Sequence, residues 1–354
     1  MTKTLLWALV FGLICVGRAE AAQRTYYIAA DEVLWNYAPT GTDVLTGKKL
    51  TLAPSQLGFL YHKVVFHGYT DASFTTPLPR APGDAYLGIL GPPIRAEVGD
   101  TVVVVFKNNS PLTMSFHAHG LRYLKDSEGA PYVDGVDPNV KPGDSVPPGG
   151  TYTYRYDVPE RSGPGPMDRS SVLWMYHSHN DEVNDVNTGT IGPIVVTRKG
   201  AARPDGTPAD VDREVFTMFA QFSESDSRLL SQNLADAATN PRHVKKLQDG
   251  FPAPNDFFSI NGYVFANLPM IDVQRGQRTR WYVMSTMSDF DFHAPHWHGE
   301  TVVSNGMRTD TLTLGPMAMI VADMVPDNPG VWLYHCHLNV HLEAGMAARF
   351  RTLP

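Results

Sequence analysis

One stretch near the C-terminus, W-L-Y-H-C-H-L-N-V-H-L-E-A-G-M from Trp332 to Met346, concentrates three imidazoles, a thiol and a thioether. Its histidines follow the strand-like run G-V-W-L-Y at 330–334. On an extended strand successive side chains point to opposite faces. His335 and His337 therefore share a face, their Cα atoms roughly 6.5 Å apart, and Cys336 points the other way. His341 comes five residues after Cys336 and Met346 five after that, so a thiolate, an imidazole and a thioether can converge. With a second imidazole from elsewhere in the chain, this donor set is that of a blue-copper electron-transfer centre, in which the axial thioether is weak and long. A buried cysteine beside core histidines, or a zinc site, is the alternative for any one of these residues. The whole set favours copper.

The elements that must carry these residues read as all-β. Thirty Gly, 28 Pro and many short Val, Tyr, Phe and Thr runs argue against a helical fold. Strands are expected at 25–30, 63–69, 101–107, 151–158 and 194–198, then at 214–222, 279–284, 317–324 and 347–352. The stretch 226–246 is the expected helical or irregular excursion. Residues 1–21 read as a secretory signal: Lys3, an apolar run from Leu5 to Val16, and an A-x-A site at Ala19–Ala21. The run is too short for a permanent membrane span. Its removal would take the formal charge from −7 to −8, two cations (Lys3, Arg18) leaving with one anion (Glu20). That balance offers nothing to nucleic acid. It would also remove Cys15, leaving Cys336 as the sole cysteine of an exported, periplasmic or extracellular protein. With no partner for a disulfide, that thiol needs another role.

The chain repeats itself. Trp174-Met175-Tyr176-His177-Ser178-His179 matches Trp332-Leu333-Tyr334-His335-Cys336-His337, and F-H-A-H-G matches P-H-W-H-G. Two related Greek-key β-sandwiches follow, at 22–200 and 213–354, joined by a polar, Pro-bearing linker at 201–212. Ten of the 13 histidines fall in four short motifs: His117 and His119; His177 and His179; His293, His296 and His298; His335, His337 and His341. His62, His67 and His243 fall outside them and read as structural or surface residues.

The four motifs, in this order, resemble those of the multicopper oxidases. Y-Y-I-A-A from Tyr26, T-D-A-S-F, I-R-A-E-V-G-D-T, F-K-N-N, V-P-E-R-S-G-P-G-P and H-S-H-N-D are similar to ceruloplasmin and hephaestin domains over nearly the whole chain. The two-domain length and single cysteine resemble the small two-domain laccases. The resemblance implies cupredoxin-like domains and four coppers per chain. Type 1 copper would lie on His293, Cys336, His341 and Met346. Type 2 would lie on His117 and His296. The type 3 pair would lie on His119, His177, His179, His298, His335 and His337. It also implies a proton-delivery role for Glu128, which on turn chemistry alone reads equally as a loop residue. Tyr123 would lie close to the copper cluster, with a packed core aromatic as the alternative. Counting along the repeat sets Met114, Ser178, Val183 and Thr188 opposite the type 1 ligands, so the first domain should lack that centre.

The expected activity is one-electron oxidation of a small reductant coupled to reduction of O2 to water. Ceruloplasmin-like ferroxidases carry a Glu and a His just before I-N-G, and an Asp before the type 1 His. The corresponding residues here are Ala253, Phe258 and Val340, an apolar rim that suits phenols or aromatic amines. Asp289, Asp291 and Glu343 keep an iron(II) or copper(I) site open. A non-catalytic exported copper-binding protein is the alternative of another class. Copper nitrite reductase shares the two-domain design but lacks the type 3 histidines and carries type 1 copper in its first domain. Because four histidines of the cluster come from each domain, three chains joined head to tail into a six-domain ring would build three such clusters at their interfaces.

Overall fold

The structure is a computed structural model, described over residues 21–52, 57–238, 255–286 and 291–354. Ala253, Asp289 and His243, and the expected signal segment apart from residue 21, lie outside that description. In the first half, β1 (Gln23–Asn36), β2 (Leu60–Tyr69), β4 (Thr101–Asn108) and β6 (Thr151–Asp157) form one sheet in the order β2-β1-β4-β6. The facing sheet runs β3 (Ile94–Glu97), β8 (Ile191–Thr197), β7 (Ser171–His177) and β5 (His117–Ala118). The second half repeats this plan. Here β9 (Arg213–Ser223), β10 (Asp256–Ile260), β12 (Thr279–Thr286) and β16 (Met319–Met324) take the places of β1, β2, β4 and β6, and β14 (Val302–Ser304) and β15 (Met307–Thr309) extend the edge. β11 (Ile271–Gln274), β18 (Ala347–Leu353), β17 (Gly330–Cys336) and β13 (Pro295–Trp297) form the last sheet. Both halves share the same mixed pairing, with β1–β4 and β9–β12 parallel, and β3–β8 and β11–β18 parallel. All nine strand-like runs fall on strands. Within the 226–246 stretch, a helix (α2) spans Leu230–Ala238, and 239–246 lie outside the description.

The two sandwiches are fused rather than merely tethered. One continuous buried cluster draws Tyr61, Leu87, Met175 and Val195 from the first half and Phe216, Trp281 and Tyr334 from the second. Polar anchors lock it. The Arg280 guanidinium, fully buried, forks onto both Asp323 oxygens at 2.7 and 3.0 Å and donates to Ser170 and Ser171 across the boundary. Asn261 donates to the Tyr86 and Phe216 carbonyls at 2.8 and 3.0 Å, tying a first-half turn to β9. Lys63 meets Glu224 and Tyr37 where no water reaches. The residues from 201 to 212 lie along the first sandwich: the Ala202 amide donates to Glu97, and Ala202 bridges to Pro208. Among the described residues, no helix is long and apolar enough to cross a membrane.

Each histidine motif is set by the same device. The glycine after H-x-H takes a positive φ, +71° at Gly120 and +69° at Gly299. A Cβ on Gly120 would stand 2.1 Å from the Trp174 indole, and one on Gly299 2.7 Å from that of Trp332. The tryptophan three residues before the second H-x-H thus packs flat on the glycine ending the first. That contact aligns β5 with β7, pairing His117 with His177, and β13 with β17, pairing His296 with His335.

Candidate metal centres

Three groups of ligand atoms converge, each within 4.8 Å: His293, Cys336 and His341; His117, His119 and His177; His296, His298 and His335. The first lies at the end of β17. Cys336 is the last strand residue, and a short helix, α3 (Asn339–Glu343), returns His341 so that its Nδ1 lies 3.5 Å from the Cys336 sulfur. The Ala294 amide donates to that sulfur at 3.3 Å. The rings of His293 and His341 are 5.0 Å apart. Met346 is wholly buried, and its carbonyl accepts the Cys336 amide. Both ring nitrogens of His293 are buried without a hydrogen-bond partner. Buried polar atoms are ordinarily satisfied, and a metal ion on this imidazole, thiolate and thioether set would satisfy them. Burial, with His341 adding to it, pushes His293 down to about 4, so the ring is held in its neutral, metal-binding form. Burial also raises the Cys336 thiol, which a metal would deprotonate.

The first quartet sits on β5, β7 and the turn after it. His117 and His177 donate their Nδ1 protons to the carbonyls of Glu128 (2.7 Å) and Ser178 (2.9 Å), which leaves each Nε2 as a lone pair. His177 Nε2 faces His119 Nε2 at 2.9 Å. The ring of His179 lies 5.1 Å from that of His117, and its Nε2 is 3.1 Å from a Glu182 oxygen. The second quartet repeats this arrangement: His296 Nδ1 to the Asp310 carbonyl at 2.9 Å, His335 Nδ1 to the Cys336 carbonyl at 2.8 Å, His298 Nε2 to His335 Nε2 at 3.0 Å. The His337 ring is 5.2 Å from His296. Two imidazole nitrogens about 3 Å apart can both reach one metal at the ~2 Å typical of such bonds. Burial lowers His119 and His335 to about 4 and His177 to about 3, again favouring the ligand form. Among the described residues no convergent group mixes the two halves: His117, His119 and His177 converge in one and His296, His298 and His335 in the other, with His179 and His337 beside them.

Around these centres the expected residues are distributed unevenly. Tyr123 stacks edge-on to His117 at 5.7 Å. Glu128 touches His117 through its backbone carbonyl, while its carboxylate is bound by Lys125 and Tyr132 at 2.5 and 3.0 Å. Burial raises that carboxylate, and these two partners outweigh it, leaving the group below the usual range. Phe258 lies against the His341 ring at 4.6 Å, and Val340, next in sequence to His341, and Phe292, next to His293, are exposed. Asp291 holds His341 Nε2 at 3.1 Å. Outside the motifs, His62 pairs with Glu32 and Asp236, and His67 with Asp31.

Counting along the repeat misplaces two residues in the first domain. His335 pairs with Ala347 and His177 with Ile191, which sets Thr190 opposite Met346. The Met346 amide donates to the His341 carbonyl and the Thr190 amide to that of Asp185, so Asp185 stands at the His341 position. The first-domain helix, α1 (Glu182–Thr188), has seven residues against five in α3, and the two extra residues shift the register. Val183 and Thr188 are therefore not the counterparts, and Val183 is exposed. Sequence reasoning also missed Asp310 and Thr311, which hold His296. The repeat carried only part of the signal, since Asp310 comes 12 residues after H-W-H while Glu128 comes nine after H-A-H.

Two Greek-key sandwiches, one carrying a buried His-Cys-His-Met set and each carrying an imidazole quartet, define a cupredoxin-type metalloprotein. Two sequence-family models described as multicopper oxidase match residues 87–201 and 236–354, and the chain belongs to the multicopper oxidase family. Copper is the metal that the family implies, and the donor sets fit it. The chain is 39% identical over 347 residues to human Ferroxidase HEPHL1, covering 95% of this chain and 30% of that protein. It is 36% identical to human hephaestin (98% and 31% covered) and 37% identical to rat ceruloplasmin (92% and 32%). The chain thus spans about a third of the length of these relatives. Among solved structures, the multicopper oxidase mgLAC superimposes with a TM-score of 0.60 at 19% identity, covering 94% of this chain and 88% of that one. A copper nitrite reductase from Nitrosomonas europaea gives 0.59 at 17%, covering 94% of each. At such identities they speak for the fold alone.

Proposed function

We propose that the chain is an oxidase that takes electrons singly from a small reductant at the Cys336 centre and uses them to reduce O2 at a cluster built from the two histidine quartets. The observation that carries this reading is the H-C-H tripeptide: Cys336 belongs to one ligand group while His335 and His337, bonded to it through the backbone, belong to another. Copper on these groups would supply one-electron transfer at the first and oxygen reduction at the second. His293, Cys336, His341 and Met346 form the type 1 set. His117 and His296, held alike by a backbone carbonyl, are the type 2 pair, and the remaining six histidines are the type 3 set. Glu128 fixes the His117 tautomer through its carbonyl and, with Lys125 and Tyr132, forms an acid–base network beside the protons that O2 reduction consumes. Tyr123 packs edge-on against His117.

Because the quartets stay apart within one chain, the cluster needs a second copy, and a ring of three chains provides three clusters. The substrate we assign is a phenol or aromatic amine. Support comes from the rim of Phe258, Phe292 and Val340 over His341, with Asp291 as the acceptor for the proton such a donor loses on oxidation. Iron(II) is the second reading, supported by a relative named as a ferroxidase and by the Asp291 carboxylate. Oxygen uptake by the copper-loaded protein across phenols, aromatic amines, iron(II) and copper(I) tests all of this. Phenols are expected to give the highest kcat/KM, and Phe258→His with Val340→Asp is expected to raise iron(II) turnover. Iron(II) as the best substrate of the unaltered chain would reverse the substrate assignment, and no oxygen uptake with any donor would leave a copper-binding protein without turnover.

A further inference from the structure

The first sandwich keeps, in altered form, the place where the second builds its His-Cys-His-Met set. Ser178 stands for Cys336, Asp185 for His341, Thr190 for Met346 and Met114 for His293; all four are buried. A side chain from the other domain fills this place. Arg228, in the segment after β9, donates Nη1 to Asp185 Oδ1 at 2.5 Å and to the Thr113 carbonyl at 2.8 Å, and its amide donates to Thr188 Oγ1 at 3.0 Å. Leu229 beside it is buried in the first sandwich's core with Met114 and Phe116. From the guanidinium a continuous series of contacts leads to the histidines. Asp185 Oδ2 accepts the Ser178 hydroxyl at 2.6 Å. Ser178 Oγ accepts the Ser115 amide, and Ser115 Oγ accepts the His179 amide at 2.9 Å. The Ser178 carbonyl accepts His177 Nδ1.

We infer that Arg228 is a positioning residue for copper binding by His177 and His179, its guanidinium serving as the fixed cation of the first domain where the second domain takes a metal. The inference rests on the reading that the first quartet holds copper. Asp185 has no exposed surface, and a buried carboxylate without a cation is strongly disfavoured. Deprived of Arg228, it must take a proton or draw in water. Either change rearranges the Ser178 contact that sets the H-S-H turn. Partners one step removed from a metal ligand commonly change metal affinity by roughly 10- to 100-fold when lost.

The test uses the full chain loaded with copper, read by the intense blue absorption of the Cys336 centre, by the near-ultraviolet band of a coupled copper pair, and by copper titration. Arg228→Ala is expected to keep the blue band intact while weakening copper binding at the quartet by roughly 10-fold or more. Arg228→Lys should lose less, and the neutral pair Arg228→Met with Asp185→Asn should recover most of the binding. Unchanged quartet affinity in Arg228→Ala overturns the inference. So does a fall of both bands in proportion, which would report general destabilisation, and so does failure of the neutral pair to recover. A wild-type protein with the blue band but no second class of copper would instead remove the cluster reading beneath it.

Discussion

Single side chains in this molecule are held ready for metal by exclusion from water. Burial keeps His119, His293 and His335 at about 4 and His177 at about 3, against an ordinary 6.5. An imidazole depressed in the fold binds its proton more readily when unfolded, so stability rises with pH across this window. The metal-free protein is therefore expected to lose stability steadily as pH falls from about 6.5 towards 4. Denaturant titrations of the apo-protein at several pH values measure it, and a flat profile would mean that the rings are not held neutral. Cys336→Ser tests the other end of the donor scale. It is expected to abolish the blue colour and substrate turnover while the quartets keep their copper; a variant that stayed blue would end the type 1 assignment. Of these residues, the facing of His335, Cys336 and His337 was legible from spacing, because strand alternation dictates which of them share a face. The division of the other histidines among centres rested on the family resemblance. Asp291 over His341 was legible only as one of several nearby acids, since its contact joins a loop to α3, 50 residues further along the chain, which no local pattern links.

At the scale of elements, the recurring unit is a strand pair closed by tryptophan on glycine. Gly120→Ala drives a methyl into the Trp174 ring at a backbone angle that alanine resists, and should destabilise the protein by about 1–3 kcal/mol. Because the displaced strand carries His117 and His119, copper at the first quartet should fall before that at Cys336, as differential copper titration would register. Equal loss at both centres would mean that the contact serves general stability only. The repeat made the four motifs and all nine runs readable, since both copies obey the same periodicity. It failed at α1, where two extra helical residues left the flanking motifs unchanged while moving Asp185 into the ligand position. A helix can lengthen within a loop without disturbing the strands on either side, and counting from the motif cannot register that.

For the whole molecule, the separation of the quartets is the dominant fact. In the proposed ring each cluster uses the first quartet of one chain and the second quartet of its neighbour. Mixing His177→Ala with His337→Ala, each inactive alone, should then restore activity wherever an intact first quartet meets an intact second one. Random exchange of equal amounts makes that about one interface in four. Oxygen uptake after verified subunit exchange reads it directly. Recovery well short of that fraction, or full activity in a proven monomer, would place the cluster within one chain.

The buried fork of Arg280 on Asp323, with its reach to Ser170 and Ser171, has a consequence beyond holding two sandwiches together. A chain that offers different faces to its two neighbours closes into a ring only when the turn from one face to the next divides a full circle. In the proposed ring that turn would be set inside the chain, at the seam between the sandwiches. The seam acts as a protractor. A slack seam would leave every contact surface intact and still let successive copies drift out of plane, so that the assembly grew as an open coil instead of closing. The angular tolerance of the proposed ring would therefore be written in the interior of the monomer.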